Sequence, residues 1–243
     1  MSSLRVSYQG VAGAFSEEAI ALEWNGEATP VPARTFSDAI EFTLNGSADI
    51  ALIPCWNSAI GSVTPAIEAL GAHAHLLSVQ GEVILPIRQH LLALPGTSVD
   101  NVRYVGSHPA ALAQCTGLFR ENPYMTAHHA FDTAGAAQEL AMLGVRQGAG
   151  DRGSMPAGGK PGLDGEQDGI PAGLSGWYRD LPDVRHGSLA VIAGSRAAKI
   201  HGLVMLRNDV HDDVRNKTCF LIMRPSGHAA SGSRANANRE VHA

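Results

Sequence analysis

Residues 76–94 read LLSVQGEVILPIRQHLLAL, and the interpretation of the fold depends on this stretch. It is rich in Val, Ile and Leu and resembles a strand, but it is much longer than the average strand of about five or six residues. We therefore expect the chain to cross here from one lobe of the protein to another.

Strands and helices alternate on both sides of this stretch. Before it, the patterns predict strands at 4–8, 30–32 and 48–54, and helices that start at Ser16, Ser37 and Thr64. After it, they predict strands at 102–105, 189–193, 203–206 and 218–223, and helices that start at Ser107, Asp132 and Ser195. Such alternation in two blocks predicts an α/β protein with two lobes, each a small sheet flanked by helices.

Composition and charge exclude several classes of protein. The 243 residues are enough for one or two compact units with a real core, and 44% of them are hydrophobic. The net charge of -5 leaves no basic excess for a phosphate backbone, so no nucleic acid is expected as a partner. Gly, Pro or a charge interrupts every hydrophobic run, so no membrane span is expected either.

The cysteines and the start of the chain indicate a compartment. Cys55, Cys115 and Cys219 lie far apart without CxxC spacing, and their odd number cannot complete a disulfide framework. The chain enters a strand pattern at once, with no secretory signal. We therefore expect a cytoplasmic protein.

Two segments do not fit the α/β pattern. Residues 147–186 are dense in Gly and Pro, which predicts a flexible surface insertion. Residues 226–243 cannot bury enough apolar surface to order themselves, which predicts a disordered tail.

Four strand-to-helix turns suit an anionic ligand. They are 10–16, Asn57-Ser58, Ser107-His108 and Asp132-Thr133. Helix N-termini offer free backbone N–H groups to an anion, so a cleft rimmed by such turns suits a small carboxylate. The same side chains can also be plain helix caps, worth about 1 kcal/mol each, and the pattern alone leaves that alternative open.

Metal and nucleotide motifs are weak or missing. His73 and His75 would point the same way in a strand, and His128 and His129 are adjacent, but neither pair has an acidic or thiol partner at ligand spacing. The glycines at 10–14 do not complete a dinucleotide fingerprint, and neither GK[ST] nor GxSxG occurs. We expect no metal and no cofactor.

Six segments carry a functional signal. They are YQGVAGAFSEEA (8–19), PCWNSAIGSV (54–63), GEVILPIRQHLLALPG (81–96), SHPAALAQC (107–115), DTAGAA (132–137) and NKTCF (216–220). In this order they resemble the prephenate dehydratase family, arogenate dehydratases included. The resemblance implies a two-lobed fold similar to type II periplasmic binding proteins. The first lobe would hold 1–79 plus 204–225, and the second 80–203.

The resemblance also implies an activity and a set of site residues. Members are lyases that make phenylpyruvate from prephenate, or phenylalanine from arogenate, in phenylalanine biosynthesis. On this chain Thr218 matches the catalytic threonine. By the same match, the resemblance assigns substrate binding to Asn57, Ser58, Ser107, His108, Gln114, Thr133 and Phe220. A homodimer is expected by the same resemblance and because two-fold assemblies are common.

The chemistry of a threonine restricts its role. A threonine hydroxyl is a very weak acid, so we expect Thr218 to act as an oriented hydrogen-bond donor to the leaving oxygen, helped by nearby helix ends. His108 is the titratable group inside a site motif, where it would tune the charge of the cleft near neutral pH. A histidine that starts a helix and packs against its own turn is the alternative, and the sequence leaves both open.

Two positions depart from the family's usual motifs. Trp56 stands where the family writes Glu, and Cys219 stands where it writes Arg. In an extended segment side chains alternate, so Thr218 and Phe220 would share one face while Cys219 occupies the other. The indole nitrogen of Trp56 cannot accept a proton or a hydrogen bond, so any polar role at that position is gone.

Two other functions stay open at this point. A catalytically weak or silent homologue would bind prephenate without converting it, and a non-aromatising prephenate decarboxylase would release carbon dioxide but keep the hydroxyl. The retained Thr218 argues against the decarboxylase. Only 18 residues follow Pro225, so we also expect no phenylalanine feedback through the family's usual ACT domain.

Overall fold

The computed structural model describes residues 3–148, 176–182 and 187–227. Most of the insertion predicted at 147–186 and nearly all of the tail predicted at 226–243 lie outside the described residues. In the described part of the chain, no helix has both the length and the apolar character to cross a membrane.

The described chain forms two α/β lobes. The first contains β1 (Arg5–Gln9), α1 (Phe15–Glu23), β2 (Thr29–Ala33), α2 (Phe36–Leu44), β3 (Ile50–Asn57), β4 (Gly61–Ser62), α3 (Thr64–Ala72) and β5 (Leu77–Pro86). The second contains β6 (His90–Ala93), β7 (Tyr104–Ser107), α4 (Pro109–Ala113), α5 (Thr116–Glu121), β8 (Thr126–His129), α6 (Thr133–Gly148), β9 (Leu189–Ala193), α7 (Ser195–His201) and β10 (Val204–Arg207). The chain then returns to the first lobe as β11 (Lys217–Pro225). The predicted fold class is confirmed.

Each lobe is built around one mixed sheet. The first sheet has the order β2-β1-β3-β11-β5, with β4 beside β3, and the second has the order β10-β6-β9-β7-β8. Along β3, Ile50 and Leu52 belong to one apolar cluster, whereas Ala51 and Ile53 belong to another. The first sheet is therefore covered on both faces, as its continuous apolar sequence predicts.

The chain crosses between the lobes twice. Residues 87–89 make the first crossing, between the end of β5 and the start of β6, and the return lies between β10 and β11. The lobe boundaries expected after residues 79 and 203 therefore need correction. All of β5 belongs to the first sheet because it pairs with β11 from Leu77 to Pro86. In turn, β10 belongs to the second sheet because it pairs with β6.

Three local predictions also need correction. Helix α1 begins at Phe15 with Ala14 as its N-cap, so the cap predicted at Ser16 is wrong. The single helix predicted after Ser107 is two helices, because Asp212 accepts the backbone N–H groups that open α5. Strand β8 was not predicted; it pairs with β7, and its sequence TAHH has no alternating apolar pattern.

The end of the predicted insertion is anchored in the second lobe. Trp177 and Tyr178 are buried in its core, and a Cβ on Gly106 would come within 2.4 Å of the Trp177 ring. Glycine at 106 therefore makes room for the indole.

Candidate active site

A cleft of about 250 Å³ lies between the two lobes. Its size suits one small ligand, since pockets for drug-sized ligands usually measure about 300–1,000 Å³. Both lobes and the first crossing contribute to its wall. The lining residues are Phe15, Ser16, Pro54, Asn57, Ile60, Val63, Ile87, Gln89, His108, Ala110, Ala111, Gln114, Asp132, Thr133, Thr218 and Phe220.

A directed hydrogen bond joins two predicted site residues in this cleft. Asn57 and Thr218 face each other in the pairing of β3 with β11. The Oδ1 of Asn57 accepts the backbone N–H groups of Ala59 at 2.9 Å and Ile60 at 3.2 Å, which fixes the orientation of the amide. Its Nδ2 therefore donates to the Thr218 Oγ1 at 2.8 Å. The hydroxyl accepts from the amide and keeps its own proton for a ligand.

Asn216 extends this network from the first lobe to the second. The Nδ2 of Asn57 also donates to the Asn216 Oδ1 at 2.9 Å, and the Asn216 Nδ2 donates to the Gln114 Oε1 at 2.7 Å. Because the Gln114 oxygen is occupied, the Nε2 of Gln114 remains as a donor toward the cleft.

Helix N-termini add positive potential around the cleft. Phe15 and Ser16 open α1, Thr133 opens α6, and Ala110 lies in the first turn of α4; all of them line the cleft. The first-turn N–H groups of a helix carry partial positive charge. The predicted meeting of strand-to-helix turns around one cleft is thus present, although Ser16 is not itself a cap.

Two titratable groups line the second lobe's side of the cleft. The Nδ1 of His108 accepts the backbone N–H of Ala110 at 3.2 Å, so a neutral ring carries its proton on Nε2. Burial lowers the pKa of His108, which favours this neutral form. Burial has the opposite effect on Asp132, whose pKa it raises, although the backbone N–H of Gly135 donates to its Oδ1.

An ion pair holds the lobes together beside the cleft. The Arg196 Nη2 of α7 lies 2.6 Å from the Glu17 Oε1 of α1, and the Glu17 Oε2 accepts the Gly13 backbone N–H at 2.6 Å. The backbones of the two lobes also approach each other closely here, at Gly13 and Ala197. Gly13 has a φ of +93°, and a Cβ on it would come within 2.8 Å of the Ala197 Cα.

Two predicted site residues lie outside the cleft lining. Ser107 is fully buried, and its hydroxyl donates to the Ile192 carbonyl at 2.6 Å. The Ser58 hydroxyl accepts the Lys217 backbone N–H at 3.0 Å, which ties the end of β3 to β11. Both serine hydroxyls thus form hydrogen bonds to the backbone.

The two departures from the family motifs are partners across adjacent strands. Trp56 pairs with Cys219 in the register of β3 and β11. Trp56 is 42% exposed, and neither residue lines the cleft, whereas Thr218 and Phe220 both do. The alternation predicted for Thr218, Cys219 and Phe220 is confirmed.

Sequence reasoning missed the polar side chains of Asn216 and Gln89, and it named Asp132 only as part of a turn at the rim of the cleft. Asn216 stands directly before β11 and opens the segment NKTCF, and its place in that segment was the available signal. Gln89 lies in the crossing between the lobes, where no periodic pattern marks it. Asp132 was recognised as the start of a helix, but its place in the cleft depends on contacts distant in sequence.

The histidine pairs do not form a metal site. His73 ends α3 as its C-cap and His75 lies in a short 3-10 helix, so their predicted alignment in a strand is wrong. Across residues 3–148, 176–182 and 187–227, no group of three or more His, Cys, Asp or Glu side chains could hold a metal ion.

Comparison with known sequences identifies relatives. The family model "Prephenate dehydratase" matches residues 6–150. The arogenate dehydratase/prephenate dehydratase 2 of Arabidopsis thaliana is 34% identical over 229 residues, which cover 91% of this chain and 46% of the relative. A bifunctional N-acyl-homoserine lactone acylase/prephenate dehydratase of Komagataeibacter europaeus is 30% identical, with coverage of 89% and 61%. The chain thus spans about half the length of the plant relatives that it matches.

Solved structures share the fold. The prephenate dehydratase of Arthrobacter aurescens, in complex with L-Phe, has a TM-score of 0.69 at 23% identity. The match covers 95% of this chain and 63% of the Arthrobacter chain. The enzyme of Staphylococcus aureus has a TM-score of 0.58 at 18% identity, with coverage of 91% and 67%. At such identities the likeness concerns the fold alone. With the match over residues 6–150, the conclusion is that the chain belongs to the prephenate dehydratase family.

Proposed function

We propose that the chain is a carbon–oxygen lyase that catalyses the decarboxylating dehydration of prephenate, or of its amino counterpart arogenate. The observation that carries this proposal is the Asn57–Thr218 pair, in which an amide holds a hydroxyl oxygen and leaves the proton for a ligand in the cleft. The printed names of the relatives, which are arogenate and prephenate dehydratases, support the same reaction. The product would be phenylpyruvate or phenylalanine, in phenylalanine biosynthesis.

Most of the driving force for this reaction lies in the substrate. The bond between the ring and its carboxylate breaks, carbon dioxide leaves, and the electron pair enters the ring. The bond to the ring hydroxyl breaks, and that oxygen takes up a proton from solvent and leaves as water. Because the ring becomes aromatic, the protein has only to hold the substrate, exclude water from the departing carboxylate and assist proton delivery.

Thr218 would assist the departure of the hydroxyl. Its hydroxyl is far from the near-neutral pKa that suits a general acid, so it acts as an oriented hydrogen-bond donor to the leaving oxygen. The Nδ2 of Asn57 sets that orientation by donating to the Thr218 Oγ1 at 2.8 Å. The N-termini of α1 and α6 add a fixed positive potential that stabilises the negative charge developing on the leaving oxygen.

Uncharged donors would hold the carboxylates of the substrate. The Nε2 of Gln114, the Nε2–H of neutral His108 and the hydroxyl of Thr133 belong to the same cleft. Such neutral N–H and O–H donors can bind carboxylate oxygens without salt bridges, and Phe15 and Phe220 supply apolar surface for the ring. The proposed roles of His108, Gln114, Thr133 and Phe220 rest on these positions.

We also propose a homodimer in the cytoplasm. Two-fold assemblies are the commonest oligomers of soluble proteins, which supports the dimer. Cys55, Cys115 and Cys219 are free thiols, which suits a reducing compartment. The names of several plant relatives place those proteins in the chloroplast. Size-exclusion chromatography with light scattering tests the dimer.

The deciding experiment is product analysis. Purified protein is incubated separately with prephenate and arogenate, and the ring product is identified by absorbance and mass spectrometry. The proposal predicts an aromatic product from at least one of them. A decarboxylated product that keeps the hydroxyl would instead indicate a non-aromatising decarboxylase. Binding by calorimetry without any turnover would indicate a silent homologue.

A further inference from the structure

The charged side chains around the cleft favour a substrate that carries a positive charge besides its carboxylates. Among the described residues, the lining of the cleft contains one carboxyl group, that of Asp132, and no Lys or Arg side chain. Arg196 is paired with Glu17, and the Nη1 of Arg88 lies 3.4 Å from the His211 Nε2. A dianion such as prephenate would therefore meet a carboxylate and no opposing cation in the described lining. Arogenate, whose side chain carries an ammonium group, would bring its own cation.

Helix capping does not explain a carboxylate at residue 132. Asp132 stands directly before α6, where its backbone carbonyl accepts the N–H of Ala136 at 3.1 Å and its Oδ1 accepts the N–H of Gly135. Asn or Ser would cap this helix equally well. The charge itself is costly at this place, because burial raises the pKa of Asp132. A bound cation would offset that cost.

A second feature of the cleft, the side-chain oxygen of Gln89, also needs a hydrogen-bond donor from a ligand. Gln89 lines the cleft and is only 3% exposed, yet its Oε1 has no hydrogen-bond partner among the described residues. A buried acceptor without a donor is destabilising, and a ligand that carries N–H groups would satisfy it. A keto oxygen, which is itself an acceptor, would not.

We propose that Asp132 is the residue that selects between the two forms of the substrate, by binding the ammonium group that arogenate has and prephenate lacks. The Oε1 of Gln89 is the second acceptor for that group. An ammonium has three N–H donors and no acceptor, so it matches a carboxylate and an amide oxygen. This inference rests on the function proposed above, and it assigns arogenate as the preferred substrate.

The test compares kcat/KM for arogenate and prephenate in matched variants. Asp132→Asn removes the charge and keeps a capping side chain. It should lower kcat/KM for arogenate about tenfold or more, mainly through KM, and should raise kcat/KM for prephenate because a like charge is removed. Gln89→Leu should lower the ratio of arogenate to prephenate about threefold, since it removes a neutral acceptor. Asp38→Asn, in the first turn of α2 and outside the cleft lining, is the control and should not change the ratio.

Each outcome supports or overturns the inference. Thermal melting checks that each variant folds, and Asp132→Ser replaces Asp132→Asn if the latter does not. A ratio that stays constant, an equal loss with both substrates, or a wild-type preference for prephenate overturns the role of Asp132. These results leave the proposed function standing as long as the wild-type protein aromatises one substrate. Inactivity of the wild-type protein with both substrates would instead remove the proposed function.

Discussion

The two faces of the β3–β11 strand pair differ: one keeps the residues of the family's motifs, and the other carries both departures from them. On the inner face, Asn57 and Thr218 oppose each other and share the 2.8 Å hydrogen bond that lies in the cleft. One position along, Trp56 opposes Cys219 on the outer face, and Trp56 is 42% exposed. Neighbouring residues of the same two strands thus belong to different environments, because strand side chains alternate.

This difference bears on the two departures from the family's motifs. The family's usual Glu and Arg at these positions would be opposed across the strands, so the departures amount to one exchange of an oppositely charged pair for Trp and Cys. Such cross-strand pairs contribute only about 0.2–1 kcal/mol each. Neither Trp56 nor Cys219 lines the cleft. We therefore expect the inner face to determine turnover and the outer face to affect it little.

Removal of the Thr218 hydroxyl should have the largest effect. Thr218→Val keeps a side chain of similar shape but loses the proposed donor to the leaving oxygen, so kcat should fall about 10²–10³-fold while KM changes little. Steady-state kinetics of product formation measures both. Cys219→Ser, on the outer face of the same strand, is the matched control and should change kcat less than about threefold. Equal effects of the two substitutions would contradict a functional difference between the faces.

Replacement of the Asn57 amide by a carboxylate should have the second-largest effect on turnover. Asn57→Asp keeps an oxygen for the backbone N–H groups of Ala59 and Ile60. The donor to Thr218 becomes an acceptor, however, and would capture the hydroxyl proton, so kcat should fall about tenfold or more. Asn122→Asp, at a buried asparagine outside the cleft, is the control for the cost of a buried charge and should spare kcat. Normal turnover of Asn57→Asp would show that the orientation of the hydroxyl does not matter.

Loss of the contact between the lobes should have a smaller effect. Arg196→Met would leave the Glu17 carboxylate, with a side chain only 8% exposed, without its cation. The free energy of unfolding should fall by about 2 kcal/mol, less than for a fully buried pair because Arg196 is partly exposed. Urea denaturation measures this change. The double variant Glu17→Gln/Arg196→Met should recover part of the lost stability. If its loss instead equals the sum of the losses of the two single variants, the ion pair does not contribute.

Restoration of charges on the outer face should have the smallest effect. Trp56→Glu/Cys219→Arg should change the free energy of unfolding by less than about 1 kcal/mol, because exposed ion pairs contribute little. Urea denaturation of the double and both single variants gives the coupling between the two positions. A coupling well above that value would mean that the outer face contributes more to the fold than its exposure indicates.

The sequence was sufficient where a motif and a local period agreed. The apolar run at 48–54 predicted a strand covered on both faces, and the alternation around Thr218 predicted that Cys219 points away from the face shared by Thr218 and Phe220. The structure confirms both. Each prediction needed only neighbouring residues and the two-residue period of a strand.

Contacts between distant residues account for the rest. The Ser107 hydroxyl is bonded to the Ile192 carbonyl, 85 residues away, and no local pattern shows this. The extent of β5 is set by its pairing with β11, which lies more than a hundred residues later in the chain. Asp132 looks like an ordinary helix cap in sequence. Only the packing of two lobes makes it the carboxyl group that lines the cleft.

The most direct test of the central claim compares turnover by the wild-type protein with turnover by Trp56→Glu/Cys219→Arg, using arogenate and prephenate in parallel. If the inner face is sufficient, the wild-type protein forms the aromatic product with a kcat within about threefold of the double variant. A wild-type protein that binds substrate but forms no aromatic product, together with an active double variant, would contradict the claim.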